Sequence, residues 1–92
     1  MYSYDIKPNL RKILNKLSKK DKNLYKQVFK KIEEIINDSD IEHYKNLRRD
    51  LKEFKRVHIR HFVLVFKFEK SKGFISFEDF NHHDFIYKNL NL

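Results

Sequence analysis

The sequence contains no cysteine. Disulfides and thiolate metal sites are therefore excluded, and a reducing compartment suits the chain. A single glycine and a single proline leave no material for a glycine-rich phosphate loop, a flexible linker or a low-complexity segment. No internal repeat is visible. Long apolar runs are also missing. The longest, Phe62 to Phe66, falls far short of the roughly 20 residues that cross a bilayer. Met1 to Leu10 has no apolar stretch of the signal-peptide kind. These absences predict a cytoplasmic protein with no membrane partner. Acidic residues are scarce as well, 13 against 21 basic ones, for a net charge of +8. Such a balance serves a lysine-rich soluble surface, and it equally serves a polyanionic partner, because cations on a surface release the counterions of a phosphate backbone.

What remains is a chain of 92 residues, 40% hydrophobic and 15% aromatic, with nine phenylalanines. That is enough for one core, so a single domain spanning residues 1–92 is predicted. Tyr2, Tyr4 and Ile6 alternate with polar residues, as in a short strand. Pro8 suits the first turn of a helix, and Leu10, Ile13, Leu14 and Leu17 follow at helical spacing. Ser18 reads as the N-cap of a second helix, with Asp21 in its first turn. Leu24, Val28, Ile32, Ile35 and Ile36 form that helix's apolar stripe. Asn37 to Tyr44 reads as a loop. Tyr44 to Glu53 is ambiguous: Leu47 and Leu51 allow one helical turn, and Lys45, Arg48, Arg49 and Lys52 make the segment basic.

Strict alternation begins at Phe54. Arg56, His58 and Arg60 fall on one face of a strand, and Lys55, Val57 and Ile59 on the other. Phe62 to Phe68 is apolar on both faces, as a central strand would be. Glu69 to Gly73 reads as a hairpin loop, with the lone glycine where a positive φ is useful. The turn at Arg60 and His61 has no such residue. Phe74 to Phe80 forms a third strand of this meander. The polar run Asn81, His82, His83, Asp84 follows, and Phe85 to Leu92 reads as a short terminal helix or tail. The order β-α-α-β-β-β predicts an α+β fold, a helical hairpin packed on one face of a small, mainly antiparallel sheet. Leu64, Phe66, Phe68, Ile75 and Phe77 are predicted under the helices. Arg56 and His58, with Val63 and Val65, are predicted on the open face.

The chemistry concentrates in Arg56, His58, His83 and Tyr87. RNA cleavage by its own 2′-hydroxyl needs a base for the 2′-proton, an acid for the departing 5′-oxygen, and cations for the extra charge on the phosphorane. Histidine performs either proton transfer near neutral pH. Arginine grips phosphate through paired hydrogen bonds, and tyrosine stacks on a base or donates its phenol proton. The bland alternative is a solvated sheet surface with Tyr87 closing a core. No metal site is predicted: adjacent His82 and His83 would point apart on a strand, and His43, His58 and His61 come at no ligand spacing. Ser71 and Ser76 sit in no nucleophile elbow.

Over nearly its whole length the chain resembles the RelE-type toxins of the RelE/ParE superfamily of toxin–antitoxin systems. The resemblance rests on YSYDIKPNLRKILNKLSKKDKNLYKQVFKKIEEI, on Leu47-Arg48-Arg49, on LKEFKRVHIRHFVLVF and on FNHHDFIY, in that order and spacing. It implies a ribosome-dependent endoribonuclease that cuts mRNA with no metal or other cofactor. It also implies a RelB-like antitoxin partner, and contact with operator DNA only through the antitoxin complex. Arg56 and His58 stand at the family's paired basic positions, and His83 four before the terminal Tyr87. Lys52, Lys55, Arg60 and His82 become candidate contacts to RNA. Val63 and Asn81 stand where relatives often carry arginine, and the usual turn glycine is replaced near Arg60. The resemblance leaves two alternatives: a ParE-like toxin that blocks gyrase, and a basic module that binds RNA or protein without cutting.

Overall fold

The computed structural model describes residues 1–47 and 52–89. Strand β1 (Ser3–Ile6) leads into helix α1 (Pro8–Lys20) and helix α2 (Lys22–Ile36). A 3₁₀ turn at Ile41–His43 follows. Strands β2 (Phe54–Ile59), β3 (Phe62–Glu69) and β4 (Phe74–His82) come next, and helix α3 (His83–Asn89) ends the described chain. The sheet order is β1-β4-β3-β2, with β1 parallel to β4 and the remaining pairs antiparallel. The predicted fold class is the one observed. No helix among the described residues is long and apolar enough to cross a membrane.

Pro8 occupies the start of α1, where its missing N–H leaves nothing unsatisfied. The N-cap prediction at Ser18 is corrected. Ser18 lies inside α1, and its hydroxyl donates to the Asn15 carbonyl at 2.7 Å. The cap is Asp21, whose carboxylate accepts from the Leu24 amide at 3.1 Å. Its own amide donates to the Leu17 carbonyl and ends α1. One residue thus closes the first helix and opens the second, which forces a tight hairpin. The loop predicted from Asn37 to Tyr44 contains the 3₁₀ turn because Ile41 is buried and pulls the backbone inward. Arg48, Arg49 and Leu51 of the ambiguous segment lie outside the described residues, as do residues 90–92.

The main core lies between the hairpin and the sheet. Leu10, Leu14, Leu24, Val28, Ile32 and Ile35 meet Leu64, Phe66, Ile75, Phe77 and Phe80. Phe77 and Phe80 are three apart, which strict alternation would send to opposite faces. A β-bulge resolves this: Val65 pairs with Asp79 and Phe66 with Phe77, so Glu78 is the extra residue. Beyond the bulge the phase of β4 is shifted, and Asp79 and Asn81 reach the opposite face beside Val65 and Val63.

That opposite face differs from the open surface predicted. Val63 and Val65 are buried, not exposed, in a second, smaller cluster with Leu47 and with Ile86 of α3, flanked by Phe54 and Tyr87. The terminal helix supplies the cover, because Ile86 falls on its inward side. Both hairpin turns use left-handed backbone. Gly73 has φ of 59°, as predicted. Arg60 has φ of 58°. A two-residue connection between paired Ile59 and Phe62 requires a primed-type twist, and the sequence meets it without glycine.

Candidate functional site

Alternation on β2 places Arg56 and His58 together on the α3 side, opposite Val65 and Val63 of β3. On α3, His83 and Tyr87 are four apart and share one helix face. The α3 start is anchored by the His83 amide, which donates to the His61 carbonyl at 2.9 Å. These two placements bring the four predicted side chains into one cluster. Arg56 Nη1 donates to the Tyr87 phenol oxygen at 2.5 Å. The ring centroids of His58 and His83 are 6.4 Å apart, those of His58 and Tyr87 6.5 Å, and those of His83 and Tyr87 5.6 Å.

The electrostatics follow from the neighbours. Burial lowers the pKa of His58 from its ordinary 6.5, and the positive charge of Arg56 and of His83 lowers it further. His58 is therefore a neutral imidazole at neutral pH, able to accept a proton. His83 Nδ1 lies 3.2 Å from Asp84, whose carboxylate can accept its N–H and orient the ring. Two hydrogen bonds of about 2.8 Å to the oxygens of one phosphate group span a gap of the size between these imidazoles.

Of the remaining predicted contacts, His82 adjoins the cluster, its ring centroid 5.6 Å from that of His83. Lys52 is exposed in the turn before β2. Lys55 is only 6% exposed. Its ammonium donates to the Tyr44 carbonyl at 3.1 Å and to Asn46 Oδ1 at 2.8 Å. The predicted RNA contact of Lys55 is thereby corrected, since a strand residue facing the helix side is held inside the fold. Arg60 sits on the β2–β3 turn, 3.6 Å from Asp21 at the helix junction. His82 packs edge-on to Phe62 and accepts at Nδ1 from the Asp84 amide at 3.2 Å.

The prediction that His82 and His83 point apart is also corrected. The strand ends at His82 and the helix begins at His83, so alternation stops between them. The ligand atoms of His82, His83 and Asp84 lie within 4.8 Å of one another, all on the surface. Sequence reading missed Asp84, and it missed Asp79, whose carboxyl accepts from Asn9 Nδ2 and the Phe80 amide. Burial raises the pKa of Asp79 from its ordinary 3.8. The bulge that turns Asp79 to this face leaves no mark in the residue pattern.

No protein-family model matches the chain. A Methanocaldococcus jannaschii protein named "Putative toxin RelE4" is 52% identical over 93 residues, spanning all of this chain and 97% of that protein. The isolated RelE toxin of E. coli superposes with a TM-score of 0.71 at 19% identity, over 99% of this chain and 96% of that one. A chain of the intact E. coli RelBE toxin–antitoxin complex superposes with a TM-score of 0.69 at 20% identity, over 89% of this chain and 96% of that one. At these low identities the two structures establish the fold, and the M. jannaschii relative establishes the family.

Proposed function

The chain belongs to the RelE family of toxins from type II toxin–antitoxin systems, ribosome-dependent mRNA interferases, and from that premise we propose that it cleaves mRNA itself through Arg56, His58, His83 and Tyr87. The observation that carries this reading is the convergence of those side chains from β2 and α3 on one small patch. His58, neutral at working pH, takes the 2′-hydroxyl proton. The 2′-oxygen attacks the adjacent phosphorus, and the bond to the 5′-oxygen breaks. His83 gives a proton to that oxygen, leaving a 2′,3′-cyclic phosphate on one fragment and a 5′-hydroxyl on the other. Arg56 holds the phosphorane oxygens, and fixed cations of this kind act most strongly where charge develops. The Tyr87 phenol oxygen accepts from the guanidinium, which also lies over the Tyr87 ring at 5.6 Å from its centroid, so tyrosine steadies the cation. None of these steps calls on a metal.

Val63 stands where relatives often carry arginine. Its buried position against Ile86 suits packing of α3, and the cationic work falls to Arg56. The relatives favour this reading over a gyrase-directed one. The partner is a RelB-like antitoxin that covers part of the +8 surface, with operator DNA reached only through that complex. The working compartment is the cytoplasm, where ribosomes and mRNA are met, and residues 1–92 act as one toxin domain.

The test is primer extension on mRNA programmed into native ribosomes, with purified protein and EDTA present. Cuts inside the A-site codon that require ribosomes and persist in EDTA are expected. Intact mRNA, with folded protein and matched ribosomes, would overturn the proposal.

A further inference from the structure

Strand β2 is an edge of the sheet, and among the described residues only part of its outer side is covered. The segment before it lies alongside: the Leu47 amide donates to the Phe54 carbonyl at 2.8 Å and the Arg56 amide to the Lys45 carbonyl at 2.9 Å. In an antiparallel strand the N–H and C=O of alternate residues point the same way. The bonds made by Phe54 and Arg56 therefore show that His58 also turns its amide and carbonyl to this outer edge. Among the described residues the cover stops at Lys45, before it reaches His58.

A groove of about 360 Å³ opens there, lined by His43, Tyr44, Lys45, Arg56, Val57 and His58. Its far wall is aromatic. The rings of His43 and Tyr44 lie 4.0 Å apart with 33° between their planes. His43 Nε2 is 2.7 Å from the Asp38 carboxylate, which fixes the ring. Tyr44 is anchored edge-on against Phe66 of the main core. Burial and the Asp38 carboxylate push the Tyr44 pKa up to about 12, so its phenol stays neutral. Lys45 is exposed at the mouth.

We infer that this groove is a nucleobase subsite: it takes the base of the nucleotide next to the scissile phosphate, stacked on the face of His43 turned away from Tyr44, which backs the ring. The inference rests on the nuclease reading above, because Arg56 and His58 belong both to the groove wall and to the phosphate cluster. A phosphate held on Arg56 and His58 leaves its neighbouring nucleotide within reach of the groove. Aromatic faces take any base, since every base offers a π-surface. The His58 amide and carbonyl supply one donor and one acceptor for a base edge. Lys45 meets the next phosphate along the chain.

Binding can be read without cleavage. A tetranucleotide with 2′-O-methyl riboses cannot be cut, and 2-aminopurine at each position in turn reports stacking by loss of fluorescence. The full-length wild-type protein is expected to quench one position adjacent to the held phosphate. His43→Ala should weaken binding of that oligonucleotide roughly five- to a hundredfold, the range for one lost base stack. His43→Phe, which keeps the stack and drops the pair with Asp38, should restore most of it. An abasic residue at the quenched position should bind wild type and His43→Ala equally. Unchanged affinity in His43→Ala, or no quenching by wild type, overturns the inference. Unchanged RNA affinity with the His43 ring shielded by a bound protein would assign the groove to that protein instead. Positional quenching in a protein that fails to cut mRNA would leave the subsite standing and remove the nuclease.

Discussion

Lys55 and Arg56 are adjacent cations on one strand, yet they do opposite things. Lys55 points to the helix side and is almost wholly buried. Its ammonium donates to the Tyr44 carbonyl and to Asn46, and so ties the loop before β2 to the sheet. Arg56 points to the α3 side, and among the described residues its guanidinium donates to the Tyr87 phenol oxygen. The main core behind Lys55 uses two long helices and four strands. The cluster beside Arg56 has Leu47, Val63, Val65 and Ile86 for its buried members. The contrast teaches that residue type does not decide which cation is structural and which is free to meet a ligand. The depth of the layer each one faces decides it.

The largest effect that would sharpen this contrast comes from the site side. His58→Ala should lower ribosome-dependent cleavage about 10²–10⁴-fold, the usual worth of one positioned acid or base. Its melting temperature should stay near wild type. Adding His83→Ala should cost further activity, and primer-extension rates on the single and double variants check this. A double variant that cuts like wild type would break the assignment.

The core side gives the next effect. Lys55→Met removes the donor from two part-buried hydrogen bonds, and urea unfolding should show a loss of about 1 kcal/mol. Cleavage per folded molecule should hold. If Lys55→Met instead abolished cleavage at full stability, the division between the two faces would fail.

A subtler effect concerns pH and activity. Because burial, and after it the Arg56 charge, lower the His58 pKa, the acid limb of the rate profile should lie below the ordinary histidine range. Cleavage falls as pH drops through the His58 pKa, where the base gains a proton. Arg56→Gln lowers the rate, and in the residual activity the acid limb should move to higher pH. A limb that stays in place would separate His58 from the base role.

The smallest effect tests the bulge. The Asp79 pKa is raised above 3.8 in the folded state, so the native protein keeps its proton longer than the unfolded chain. Stability therefore falls as pH rises from 3.8 through the folded value, and the loss is complete above it. Asp79→Asn should melt slightly higher than wild type at neutral pH and show no gain below pH 3.8. Thermal melts at both pH values decide it.

The element order, the apolar stripes of α1 and α2 and the face shared by Arg56 and His58 were all legible in the residue pattern. Each depends on a local period of 3.6 or 2, which neighbouring residues specify among themselves. The helix cap was read one turn early, because Ser18 and Asp21 both suit capping and only the hairpin geometry selects Asp21. The burial of Val63 and Val65 was not legible, since it depends on Ile86 returning over the sheet from more than twenty residues away. The separation of Lys55 from Arg56 was legible as opposite faces, but its consequence depended on Tyr44 and Asn46 arriving at the edge of β2.

The sequence by itself determined the α+β order, the basic surface and a chain with no thiol chemistry. It also named Arg56, His58, His83 and Tyr87, because short-range periodicity and side-chain chemistry are properties of the chain alone. Tertiary structure decided that these four meet, that Lys55 does not join them, and that a stacked His43–Tyr44 wall stands beside them. Those outcomes depend on contacts between residues distant in sequence, which only the folded layers bring within reach of one another.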